Sequence, residues 1–109
     1  MELAQKKCVA CEGDMPPLNA AEAEVLLKQV RGWALVDDAK NISKSFAFAD
    51  FAGAMAFANK IAVIAEAEGH HPDLAVSWGR VTVELTTHAI KGLSENDFIL
   101  AAKIDQIQH

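Results

Sequence analysis

An apolar stripe at three-four spacing runs from Phe51 through Ala54, Met55, Ala58 and Ala62 to Ala65, and it halts at Gly69-His70-His71-Pro72. Spacing of that kind marks an amphipathic helix, and Phe57, Ile61 and Ile64 widen the stripe. Asp50 stands where a side-chain oxygen accepts from the first turn, and Gly69 stands where a chain leaves a helix. The pattern predicts a helix over Phe51–Glu68, with many alanines that allow close packing on a sheet. Past Gly69 the chain must restart as extended backbone, because proline resists helix at its own position and at the one before it.

The restart is a hairpin. Leu74, Val76 and Trp78 alternate with Ala75 and Ser77; beyond Gly79, Val81, Val83 and Leu85 alternate with Thr82, Glu84 and Thr86. Period two marks strands with one buried face. The same helix–hairpin pattern comes earlier. Asn19 and Glu22 form a capping-box pair before Ala23, Leu26, Leu27 and Val30, with Arg31 at the negative helix end and Gly32 as the C′ residue. Residues 33–36 and 42–48 then read as strands around the polar turn 37–41, and Ser94-Glu95-Asn96-Asp97 opens a last helix reaching about Gln106. The order α-β-β-α-β-β-α gives an α+β domain, a four-stranded antiparallel sheet with three helices packed on one face. Residues 1–18, closing with Met15-Pro16-Pro17, form an arm before a single domain over 19–109.

A chain of 109 residues makes one domain, and 51% hydrophobic residues supply its core. A formal charge of −5 argues against holding a phosphate backbone by general electrostatics, so no direct nucleic-acid partner is expected. No stretch approaches the ~20 apolar residues of a membrane span. No apolar signal segment precedes Cys8, and a cytoplasmic protein is the expectation. Cys8-Val9-Ala10-Cys11 is a single CxxC, compatible with half a zinc site or a redox pair. Two reduced cysteines in a loose arm is the preferred reading.

Three histidines should meet. With Gly79-Arg80 as the hairpin loop, His71 lies opposite His88; with Trp78-Gly79, Gly69 and His70 flank that rung. Direct cross-strand neighbours have Cβ atoms only ~5 Å apart. Imidazole titrates nearest neutral pH, so the group suits proton transfer or, as an alternative, zinc ligation together with Asp97. His88 shares its parity with Thr82, Glu84 and Thr86, away from the core, if the strand stays regular. Asp97 heads a helical stripe with Leu100, Ala101, Ile104 and Ile107, so it can both cap the helix and face the site.

Glu68-Gly69-His70-His71-Pro72-Asp73, Trp78, Thr87-His88 and 92–98 together resemble the pterin-4a-carbinolamine dehydratase family. Gly32-Trp33, 46–51 and 100–105 extend the resemblance over about residues 18–106. It implies dehydration of 4a-hydroxytetrahydropterin to quinonoid dihydropterin, with no metal and no cofactor, recycling the pterin of aromatic amino acid hydroxylases. It further implies His70, His71 and His88 as catalytic residues and Glu66, Pro72, Trp78 and Asp97 as substrate-binding ones. Mammalian members carry an acid at Gly69, an aromatic at Leu74 and an arginine at Asn96; the histidine set is intact. Other members serve as dimerisation cofactors of a transcription factor or as assembly factors, a non-catalytic alternative for the same fold. An open sheet edge suggests a homodimer or homotetramer.

Overall fold

Helix α2 (Phe51–Glu68) has the bounds its pattern predicts. Asp50 Oδ1 accepts from the Gly53 amide at 2.7 Å, and Gly69, at φ +66°, closes the last turn. The buried face is Ala54, Phe57, Ala58, Ile61 and Ala65, while Phe51 and Met55 turn outward. The buried face is centred on Phe57 and Ile61, which gain most of its members by leaving water. The structure is a computed structural model and describes residues 2–9 and 15–107.

Strands β1 (Ala34–Val36), β2 (Asn41–Ala47), β3 (Asp73–Ser77) and β4 (Arg80–Leu85) form an antiparallel sheet in the order β1-β2-β4-β3. With α1 (Ala20–Leu27) and α3 (Glu95–Asp105), the element order is the expected α-β-β-α-β-β-α. Ile42 and Phe46 of β2 and Val81, Val83 and Leu85 of β4 share one core with Phe57 and Ile61 of α2 and Leu100 and Ile104 of α3. The Phe57 ring centroid lies 4.7 Å from that of Phe46 and 5.0 Å from that of Phe48. Fully burying one such side chain is worth about 1.5–3 kcal/mol, so this layer fixes how α2 and α3 sit on the sheet. No helix among the described residues is long and apolar enough to cross a membrane.

Three local features depart from expectation, and one choice left open by the sequence is decided. Helix α1 stops at Leu27 rather than continuing to Arg31. Its hydrogen bonds tighten there to Gln29 N–H with Leu26 O and Val30 N–H with Leu27 O, which keeps Val30 buried while the chain turns toward Trp33. The hairpin loop is Trp78-Gly79, because Arg80 pairs with Ser77 on one side and with Ala47 on the other. Strand β4 ends at Leu85, and His88 opens a short 3-10 turn, His88–Ile90, so the parity argument does not reach it. The arm is not loose where it is described. Leu3 is 4% exposed in the core, and Lys103 Nζ donates to Ala4 O at 2.9 Å. Cys11 lies outside the described residues.

The segment carrying His88 is a closed loop. Thr87 N–H bonds Gly92 O at 2.9 Å, and Gly92 N–H returns to Thr87 O at 3.4 Å. A Cβ on Gly92 would lie 2.6 Å from Pro17 Cβ, so only glycine permits that approach. The end of α2, this loop and the start of α3 thereby converge.

Candidate active site

Asp97 is fully buried at the head of α3. Its Oδ1 lies 2.6 Å from His70 Nε2. Its Oδ2 accepts from Thr87 Oγ1 at 2.8 Å and from the Ser94 amide at 3.0 Å. Thr87 Oγ1 spends its hydrogen on Asp97, so the 2.7 Å contact with Ser94 Oγ is a bond donated by the serine. A carboxylate engaged in this way offers no hydrogen to the imidazole. His70 Nε2 is then the donor, and the tautomer assigned by the network keeps its lone pair on Nδ1. Asp97 thus serves as helix-start acceptor and as imidazole partner together.

His70, His71 and His88 line one cleft of about 520 Å³, with Thr86, Thr87 and Gly69 on the same wall-forming segments. The turn that delivers the pair is set by Gly69, after which the His70 amide bonds Ala65 O at 3.3 Å. The His70 side chain is 12% exposed, whereas that of His71 is 62% exposed and meets Glu66 Oε2 through its Nε2 at 2.5 Å. One imidazole is anchored in the protein, and the other is steered from the surface. Among the described residues, no three His, Cys, Asp or Glu side chains cluster tightly enough to hold a metal ion.

The remaining sequence-derived candidates divide. Glu66 stands outside the cleft and reaches it only through His71. Half-buried Pro72 joins the histidine pair to β3. Trp78 sits at the far end of β3, 69% exposed, and lines no part of the cleft. Residues that sequence reasoning left unassigned take its place: Glu68, Asn96, Cys8 and Val9 line the cleft, and Thr87 and Ser94 hold Asp97. Thr87 had a signal in its position beside His88. The arm residues had none, since nothing local ties residue 8 to residue 96.

A family model described as Pterin 4 alpha carbinolamine dehydratase matches residues 16–107. The chain belongs to the pterin-4a-carbinolamine dehydratase family. A relative in Methylococcus capsulatus is 50% identical over 96% of this chain and 92% of its own. One in Nitrosomonas eutropha is 51% identical over 97% and 93% respectively. Both carry the name "Putative pterin-4-alpha-carbinolamine dehydratase". Among solved structures, a transcriptional coactivator/pterin dehydratase from Brucella melitensis superposes with TM-score 0.77 at 36% identity, covering 82% of this chain and 95% of that one. A pterin dehydratase-like protein identified as a RuBisCO assembly factor in the alpha-carboxysome gives TM-score 0.60 at 26% identity, covering 69% and 87%. In this pterin dehydratase family member, the fold sets a helix-ending turn beside the end of a central strand.

Proposed function

We propose that the cleft removes water from a 4a-hydroxytetrahydropterin, in the cytoplasm and as one step of recycling the pterin used by aromatic amino acid hydroxylases. The observation that carries this reading is the buried Asp97–His70 pair opening onto a cleft that His88 shares. Dehydration breaks the bond from C4a to its hydroxyl and forms a double bond to a ring nitrogen. The departing hydroxyl takes a proton and leaves as water, while the ring nitrogen gives one up, so no oxidant or reductant is consumed. His70, with its Nδ1 lone pair set by Asp97, acts as the base; the carboxylate also stabilises the imidazolium that forms. His88, on the exposed turn, acts as the acid. His71, steered by Glu66, positions the heterocycle, and Pro72 stiffens the backbone that presents both rings.

The test is a dehydration assay on wild type and on His70→Ala, His71→Ala and His88→Ala. Wild type accelerates the reaction, and loss of His70 or His88 lowers the rate by about 10²–10⁴-fold, the usual contribution of a positioned acid or base. His71→Ala acts mainly on KM. A His70→Ala protein with wild-type kinetics defeats the assignment.

A second reading is a non-catalytic docking module, favoured by the likeness to the assembly factor and by the exposed Leu74 and Trp78 on the edge hairpin. A wild type inert toward 4a-hydroxypterin that still retains a specific protein partner in a pull-down selects it.

A further inference from the structure

The N-terminal arm reaches the cleft and is tied down along its way. Leu3 is buried, Ala4 O accepts from Lys103, and Lys6 Nζ meets Glu95 Oε2 at 3.0 Å. At the cleft the Cys8 amide donates to Glu68 Oε1 at 2.8 Å, and Cys8 Sγ lies 3.6 Å from Asn96 O. Val9 and Asn96 are joined in both directions: the Val9 amide donates to Asn96 Oδ1 at 3.0 Å, and Asn96 Nδ2 donates to Val9 O at 2.5 Å. Asn96 is only 5% exposed, so its amide has given up water for this pairing. It directly precedes Asp97, and Glu68 stands two residues before His70. The ties that hold the arm therefore neighbour the Asp97–His70 pair in the chain.

Two properties of the arm point to selection rather than chemistry. Cys8 and Val9, with Ala89, bring apolar surface to a cleft otherwise lined by imidazoles, hydroxyls, a carboxylate and an amide. Val9 is 68% exposed and stands at the rim of the cleft. Polar ring edges suit the histidines; an apolar rim suits the part of a ligand that takes no part in proton transfer, its substituent. The family model begins at residue 16, so Cys8 and Val9 lie outside the residues it matches, while His70, His71, His88 and Asp97 lie inside them.

We propose that residues Cys8 and Val9 form a wall of the substrate cleft that discriminates among pterins by the substituent on the ring, with Glu68 and Asn96 as the positioning residues that latch this wall. The assignment rests on the dehydratase reading for its ligand class. Burial beside Glu68 pushes the Cys8 thiol up to about 12, so the wall stays uncharged at neutral pH.

The experiment measures Kd for two probes, unsubstituted pterin and biopterin, in wild type, Val9→Gly, Asn96→Asp and His70→Ala. Val9→Gly trims the rim without removing a side-chain hydrogen bond. Asn96→Asp keeps the shape but sets a second acceptor against Val9 O, which releases the latch; faster amide exchange at Cys8 and Val9 reports the release. The ratio of the two Kd values shifts by about tenfold in both variants, the scale set by small changes in an apolar pocket. His70→Ala weakens both probes together and leaves the ratio alone. An unchanged ratio in Val9→Gly overturns the proposal whatever the fate of Asn96→Asp, and leaves the dehydratase reading standing. A wild type that binds neither probe overturns that reading, and this proposal with it.

Discussion

Asp97 shows how one residue carries two duties. Its place three residues after Ser94 and at the head of the Leu100-Ala101-Ile104 stripe made both duties legible: an acid there can serve the helix start and still face inward. Thr87 and Ser94 as its partners were not legible, because their bonds depend on how the closed loop before α3 folds back. Cys8 illustrates the opposite limit, since only the folded chain brings Glu68 to it. Burial, and then the Glu68 charge, raise the Cys8 thiol from 9.0 to about 12. Between those values the unfolded chain gives up the proton and the folded chain keeps it. The stability linked to Cys8 is therefore complete below the lower value and is lost as pH rises toward the upper one. Urea unfolding of wild type and Cys8→Ala across that window should show the wild type losing stability more steeply. Parallel curves would remove the linkage.

At the scale of elements, strong punctuation was readable and competing punctuation was not. Asp50 and Gly69 bracket α2 without rivals, so its bounds came directly from them. Trp78-Gly79 and Gly79-Arg80 both contain the glycine a tight turn wants; the choice fell to Arg80's pairing with Ser77 and Ala47, which spans three strands. Helix α1 ends at Leu27, short of Trp33, whose Nε1 donates to both Asp105 carboxylate oxygens at 3.1 Å. Two glycines separate conformational from steric cost. Gly69 has φ +66° and open space around a would-be Cβ, so Gly69→Ala should cost only the left-handed strain of about 1 kcal/mol. Gly92→Ala drives a methyl into Pro17 and should cost about 1–3 kcal/mol. Denaturant midpoints check both, and Gly69→Ala as the costlier of the two would contradict this ordering.

For the whole molecule, one hairpin already suggests that His70, His71 and His88 approach one another, and all three line one cleft, while Trp78 is not among its lining residues. Strand β3 is an edge of the sheet, with Leu74 36% exposed on it and Trp78 69% exposed in the loop that follows. We propose that this edge pairs with a second copy, and light scattering should give a mass of two or four chains; a monomer at all concentrations would exclude it. The central claim concerns Asp97 and His70, and one substitution isolates it. Asp97→Asn keeps the shape but can offer an N–H to His70 Nε2, which moves the imidazole hydrogen to Nδ1 and removes the base. Single-turnover dehydration by folded Asp97→Asn protein is expected to fall about 10²–10⁴-fold below wild type, while a rate within about twofold would contradict the assignment.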